Sequence, residues 1–214
     1  MTVPDKDETW EALDARVSQL VTKGKRREAR DLLQSAIHAN AAEAPSDAAH
    51  FSSVLGSLFL ADGKDQDALK AYREAARLDP SDPQFTLTLV NCLVYFLGRP
   101  AEALERVDAL LAMLDETDWA YHDARGLRGV ALARLGRRPE ATAVFESIVR
   151  SAERLPASRC DLRLVEEFVS AGPPDAASRS YLDRVLEKAE QERNLDVRER
   201  AHRLLAKLPD GLHP

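Results

Sequence analysis

The stretch Gly63-Lys64-Asp65-Gln66-Asp67-Ala68 decides the fold, because versions of it return along the whole chain. Its pattern is a glycine, a basic residue, two variable residues, an acid and an alanine. Full copies begin at Gly24, Gly98 and Gly136, and a degenerate copy begins at Gly172. The five glycines are 39, 35, 38 and 36 residues apart, which is close to the period of helical repeats. The spacing therefore predicts an array of similar helical hairpins.

Each position of the pattern has a physical role in a turn between two helices. A glycine ends the first helix, because its last turn closes with a residue at positive φ. The acid lies in the first turn of the next helix, near the positive end of the helix dipole. Pro100 and Pro139 fall at first-turn positions, where a missing N–H costs nothing. The alanine is small enough to let two helices approach closely.

Composition and charge narrow the class of protein. The chain has 214 residues, 31% of them charged and 6% aromatic, which is typical of a soluble helical protein. Its formal net charge of −6 argues against a nucleic-acid or anionic-membrane surface. The acidic residues 1–8 lack the apolar core of a signal peptide. Cys92 and Cys160 lie in different repeats, so we expect free thiols in a reducing cytoplasm.

The second hairpin carries a denser pattern that resembles the tetratricopeptide repeat. That repeat has an aromatic residue, then Leu-Gly, a tyrosine-like position, an alanine, a second aromatic and a proline at set distances. Only the first aromatic is missing here, because Ser52 stands in its place. The other positions match in order: Leu55-Gly56, Phe59, Ala68, Tyr72 and Pro80.

The resemblance implies an all-α fold, a right-handed superhelical solenoid of antiparallel helix hairpins. We expect a single repeat domain over residues 9–208, between a flexible N-terminus at 1–8 and a tail at 209–214. Its predicted units are about 9–39, 46–80, 83–115, 118–154 and 158–193, followed by a capping helix at 195–208. The second and fourth units match the pattern best, and the first and fifth match it least.

The resemblance also implies where a partner binds, since the first helix of each hairpin lines the concave surface in this family. The third unit is the main candidate for the binding surface, because it contains the aromatic residues Phe85, Tyr95 and Phe96. Aromatic side chains at the centre of an interface dominate affinity. The alternative is that these three rings pack against neighbouring helices as part of the core. The predicted groove residues are His50, Ser53, Ser57, Phe85, Thr88, Cys92, Tyr95, Phe96, Asp123, Val130 and Glu166.

Other kinds of site find little support in the sequence. The family's clamp for C-terminal carboxylates needs basic side chains. Its positions here hold none and are occupied by Asp14, Ser18, Val54, Phe85 and Leu89. No histidine or cysteine has the spacing of a metal or nucleophilic site, and no glycine loop has the spacing that cradles phosphate. We therefore expect no catalytic residues, no cofactor and no metal.

These observations favour a non-catalytic cytoplasmic adaptor, scaffold or chaperone that binds a peptide or helix of another protein. Nucleic acid and membrane are not expected partners. One alternative is an enzyme or small-ligand sensor that uses His122, Asp123 and Glu166. Another is a homodimer formed through the Trp10 helix or the final helix. The basic cluster at residues 25–27 is interpreted as a solvated turn with paired charges, although an acidic partner or RNA could contact it.

Overall fold

The computed structural model describes residues 10–151, 162, 166 and 176–208, and the regular structure in these ranges is α-helical. Within residues 10–151 and 176–208, consecutive helices are joined by short turns, as the repeated pattern predicts. The bounds of the ten helices in the described ranges are α1 Trp10–Thr22, α2 Arg26–Asn40, α3 Pro45–Ala61, α4 Asp65–Leu78, α5 Pro83–Tyr95, α6 Pro100–Leu111, α7 Trp119–Arg134, α8 Arg138–Ser151, α9 Ala176–Gln191 and α10 Leu195–Leu205.

The helices form two compact units, Met1–Leu97 and Gly98–Pro214. In the first unit α1 packs on α2, α2 on α3, α3 on α4, and α5 contacts both α3 and α4. In the second unit α7 packs between α6 and α8, and α9 contacts α8 and α10. The division falls inside the predicted third hairpin, residues 83–115, and assigns α5 and α6 to different units. The single domain over 9–208 stays a prediction.

Four of the five pattern glycines adopt the left-handed backbone that the turns require. Their φ angles are +73° at Gly24, +68° at Gly63, +60° at Gly98 and +73° at Gly136. At the second turn the N–H of Lys64 donates to the carbonyl of Phe59, and that of Gly63 donates to the carbonyl of Leu60. These two bonds close the last helical turn in the manner of a Schellman motif. The fifth glycine, Gly172, lies outside the described residues.

Acids and prolines begin the helices as the pattern predicts. Glu28, Asp67, Glu102 and Glu140 lie in first turns, and Pro100 is the first residue of α6. Helix α3 begins at Pro45, one residue before the predicted start of the second unit at about 46, because proline is favoured at the first helical position and its fixed φ suits the helix.

Helices α3 and α4 approach closely through small residues. A Cβ atom placed on Gly56 would lie 2.8 Å from Cε1 of Tyr72, a distance that no ordinary side chain tolerates. The Tyr72 hydroxyl is 3.0 Å from Oγ of Ser57, which holds the ring against Gly56. Ala68, the last residue of the repeated pattern, is completely buried. The glycine of the Leu-Gly pair therefore makes room for the Tyr72 ring, and the alanine position is buried in the packed interior.

We predict that Ala68→Leu lowers the free energy of unfolding by about 1–3 kcal/mol, because three extra carbons have no space in a packed interior. Urea denaturation followed by circular dichroism measures the change. The matched control is Ala109→Leu, at an exposed position of α6, where we expect a change within about 0.5 kcal/mol. Equal stability of the two variants would contradict the packing of α3 against α4.

Candidate functional site

One side of α3 is open to solvent in the first unit. His50 and Ser53 are half-buried and Ser57 is exposed. They are spaced by three and four residues, so they lie on one helical face. The other faces of α3 pack against α2, α4 and α5. These three side chains, all predicted groove residues, therefore share one helical face, where His50 contacts Trp10 of α1 and Ser57 contacts Tyr72 of α4.

Helix α5 presents a similar polar stripe. Gln84 is exposed, and Thr88, Asn91 and Tyr95 are half-buried. Their spacing of four, three and four residues places all of them on one face. Nε2 of Gln84 donates a hydrogen bond to Oγ1 of Thr88 at 3.2 Å. The open stripe of α5 thus consists of two amides and a hydroxyl, followed by the phenol ring of Tyr95, and a hydrogen bond links the first two of its side chains.

Side chains of α1 extend this surface next to α3. The rings of Trp10 and His50 meet edge to face with their centroids 5.1 Å apart. The carboxylate of Asp14 lies 4.0 Å from Nε2 of His50. That nitrogen is buried and makes no hydrogen bond to a described residue. We call the surface the A face, and define it by Trp10, Asp14, His50, Ser53, Ser57, Gln84, Thr88, Asn91 and Tyr95.

Two of the groove residues predicted on α5 are buried instead. Phe85 is 7% exposed and packs with Ala49 and Ala75, and Cys92 is 2% exposed. The prediction was wrong for both, because each lies one residue after a position of the open stripe. Sequence reasoning missed Gln84 and Asn91, although counting back in helical steps from Tyr95 would have reached them.

Phe96 follows the last residue of α5 and is 59% exposed. A phenylalanine ring left in water at the end of a helix is available to a partner. Its role as a partner-binding residue stays a prediction.

The predicted groove residues of the second unit have different surroundings. Val130 is completely buried, so its prediction as a groove residue was wrong. Asp123 is half-buried. Glu166 accepts a hydrogen bond from Nη2 of Arg200 at 3.1 Å. The carboxylate of Glu166 therefore has a cationic partner within the chain.

His122, one of the residues proposed for a catalytic alternative, is affected by its surroundings. Burial, followed by the charge of Arg125, lowers the pKa of His122 below its usual value, which favours the neutral imidazole at pH 7. The His122 ring lies edge to face with Tyr121, at a centroid distance of 5.9 Å. Among the described residues, no three His, Cys, Asp or Glu side chains are grouped to hold a metal ion.

The basic cluster at residues 25–27 has internal partners, as predicted. Lys25 forms an ion pair with Glu28 at 2.9 Å, and Arg26 forms one with Asp62 at 3.1 Å. Arg30 also pairs with Asp62. The turn is therefore a mixed-charge surface in which the carboxylates offset much of the positive charge.

Comparison with known families identifies the repeats. A family model described as the tetratricopeptide repeat matches residues 15–83 and 92–156, which together exceed half of the chain. The chain belongs to the tetratricopeptide repeat family. The matched ranges include the Leu55-Gly56 and Tyr72 contact and four of the left-handed glycine turns.

Solved structures with the same fold have low sequence identity to this tetratricopeptide repeat chain. PilW, a type IV pilus biogenesis factor, is 16% identical with a TM-score of 0.54, and the match covers 93% of both chains. PilF of Pseudomonas aeruginosa is 20% identical with a TM-score of 0.52, covering 96% of this chain and 94% of PilF. YrrB, described as a TPR protein with an unusual peptide-binding site, is 18% identical with a TM-score of 0.51, covering 90% and 91%.

These likenesses confirm the all-α solenoid fold class and, at such identities, carry no functional assignment. Among proteins with curated descriptions, none matches the sequence. None of the described helices combines the length and apolarity needed to cross a membrane.

We predict that Cys92 resists alkylation in the folded protein. Burial, and to a lesser extent the charge of Asp65, raises the pKa of its thiol to about 11. The neutral thiol is thus favoured at pH 8, and the reactive thiolate is about 100-fold rarer than in an exposed cysteine. Iodoacetamide labelling of a Cys160→Ser variant, followed by mass spectrometry, isolates Cys92. Labelling as fast in buffer as in denaturant would place Cys92 at the surface.

Proposed function

We propose that this tetratricopeptide repeat protein is a non-catalytic interaction module that binds a peptide or helix of a partner protein on the A face. The observation that carries the proposal is that α3 and α5 are neighbouring helices of one unit and that each has a stripe of exposed or half-buried polar side chains. The proposed role is that of an adaptor or scaffold in the cytoplasm, and a chaperone role is a special case of it.

The composition of the A face suits a polypeptide ligand. Trp10 and Tyr95 supply aromatic area, the type of side chain enriched at protein interfaces. Between them lie the hydroxyls of Ser53 and Thr88 and the amides of Gln84 and Asn91, which can pair with peptide groups. No lysine or arginine belongs to the A face as defined, and Asp14 gives it an acidic end. These features favour a mainly neutral or basic segment over a carboxylate-terminated tail.

The relatives support the proposal only at the level of the fold. YrrB is described as having a peptide-binding site, and PilW and PilF share the architecture. The residues of this chain carry the more specific proposal. A catalytic role has weaker support, because Glu166 is paired with Arg200.

We predict that Ser53→Arg combined with Thr88→Arg weakens partner binding at least about tenfold, since two bulky charges on the stripes obstruct a docked segment and cost about 1.4 kcal/mol or more. The partner is first captured from native lysate with the wild-type chain and identified by mass spectrometry. Its affinity for each purified variant is then measured by calorimetry. The thermal midpoint of each variant shows that the fold is intact.

The matched control adds the same two charges elsewhere on the first unit, as Ala39→Arg with Gln66→Arg, at exposed positions of α2 and α4. It should bind like the wild type. The proposal fails if the stripe variant and the control bind the partner equally well. Phe85→Ala is unsuitable as a binding variant, because removing this buried ring costs about 3–5 kcal/mol of stability.

A further inference from the structure

The turn between α9 and α10 has an arginine where four other turns have a glycine. The N–H of Arg193 donates to the carbonyl of Glu190, and that of Asn194 donates to the carbonyl of Ala189, which is the hydrogen-bond pattern of the Gly63 turn. Arg193 has a φ of +54° and is the only non-glycine residue at positive φ in the described ranges. This backbone costs an arginine more than it costs a glycine. The side chain at this position is therefore present against the preference of the backbone.

The Arg193 side chain lines a pocket at this turn, together with residues of both helices. The pocket has a volume of about 390 Å³, which is within the size range of ligand sites. Its lining is Ala189 and Glu190 from α9, Arg193 from the turn, and Leu195 and Arg198 from α10. All five residues belong to the second unit. We call this site the α9–α10 pocket.

Two arginine side chains line the pocket without a partner in the described part of the chain. The guanidinium groups of Arg193 and Arg198 form no ion pair and no hydrogen bond with a described residue, although Arg198 is half-buried. By contrast, Arg200 of the same helix pairs with Glu166 at 3.1 Å. A guanidinium keeps its charge in proteins and presents its N–H donors in a planar fork that matches an oxyanion. Two such groups on one pocket favour an anionic ligand.

The ionisable side chains of the pocket match a single negative charge. Arg193 and Arg198 contribute +2 and Glu190 contributes −1, so the net charge of the lining is +1. A carboxylate carries one negative charge at pH 7. A phosphate monoester carries about 1.5 to 2 negative charges, so it meets stronger repulsion from Glu190. The charge of the pocket therefore favours a carboxylate over a phosphate.

An exposed leucine indicates what adjoins that carboxylate. Leu195 is the first residue of α10 and is 59% exposed. Covering its side chain removes apolar surface from water, which is favourable. The hydrocarbon stems of the two arginines add further apolar area. Anion binding next to an apolar contact fits a polypeptide segment in which an acidic residue adjoins an apolar one.

We propose that the α9–α10 pocket binds the side-chain carboxylate of an acidic residue in a partner protein, while Leu195 packs against an apolar side chain next to that residue. Arg193 and Arg198 hold the carboxylate, because hydrogen bonds between guanidinium and carboxylate are stronger than those between neutral groups. The site gives the arginine at positive φ a function that glycine could not perform. It lies in the second unit and does not depend on the function proposed for the A face.

Two capped tripeptides are the direct probes. N-acetyl-leucyl-glutamyl-leucinamide carries the carboxylate, and N-acetyl-leucyl-glutaminyl-leucinamide has the same shape without the charge. Their binding to the full chain is measured by NMR titration. We expect the glutamyl peptide to bind at least about 3-fold more tightly and to perturb the amide signals of residues 189–198. Its advantage should disappear in about 0.5 M NaCl, because salt screens the charges.

Inorganic phosphate and N-acetyl-leucine are titrated alongside the peptides. Phosphate tests a site for phosphate groups, and N-acetyl-leucine tests a site for a terminal carboxylate. We expect both to bind more weakly than the glutamyl peptide. Tighter binding of either one would identify a different kind of anion site and would overturn the proposal.

Three substitutions separate recognition from charge in general. Arg198→Gln removes one guanidinium, and should weaken the glutamyl peptide about 3- to 10-fold while leaving the glutaminyl peptide unchanged. Glu190→Gln removes the repelling carboxylate, and should strengthen binding of the glutamyl peptide about 2- to 5-fold. Arg203→Gln removes an exposed arginine of α10 that does not line the pocket. It is the matched control and should bind like the wild type.

Arg193→Gly separates binding from stability. Glycine suits the positive φ, so this variant should have a higher thermal midpoint than the wild type and still bind the glutamyl peptide about 3- to 10-fold more weakly. Because unfolding cannot explain such a result, this variant decides the matter should Arg198→Gln fail to fold. The proposal is overturned if the wild type binds both peptides equally, or if Arg193→Gly binds the glutamyl peptide as tightly as Arg203→Gln does.

The two proposed surfaces can be tested independently. The double variant Ser53→Arg with Thr88→Arg changes the A face alone and should bind the glutamyl peptide like the wild type. Loss of partner binding on the A face and loss of the peptide from the α9–α10 pocket are therefore distinguishable.

Discussion

The rest of the structure depends on the left-handed backbone of the glycines that join successive helices. At Gly24, Gly63, Gly98 and Gly136 an added Cβ would meet no atom within 4 Å, so the requirement at these positions is conformational rather than steric. A positive φ lets the chain leave one helix and begin the next within a few residues. Because each turn is short, it fixes which face of a helix meets its partner, and therefore which face stays open.

Helix α3 shows how one short segment serves three purposes. Gly56 belongs to a packed side, where the Tyr72 ring lies against it. His50, Ser53 and Ser57 form its open stripe. Ser52 and Leu55 line a cleft between α2 and α4. The period of 3.6 residues divides a helix into such faces, so residues 52 and 53, although adjacent, serve different surfaces.

Much of this fold could be predicted from the sequence, because glycine, alanine and first-turn acids each have strong local preferences. The face of α5 that stays open to solvent could not be predicted. Apolar residues continue through residues 85–97, so hydrophobic periodicity alone does not separate Phe85 and Cys92, which are buried, from Tyr95, which is half-exposed. The cleft lined by Ser52 was also missed, since a cleft forms only when side chains from three helices come together. The division after Leu97 has no distinct sequence signal.

The central claim is that left-handed glycine turns hold the hairpins together, and the stability of two variants at Gly63 tests it most directly. Alanine at φ = +68° should cost on the order of 1–2 kcal/mol of unfolding free energy. Asparagine, which tolerates this region better, should cost clearly less, although neither side chain meets a neighbouring atom at its Cβ. Urea denaturation of both variants gives the comparison. An alanine variant as stable as the wild type, or an asparagine variant less stable than the alanine one, would contradict the account.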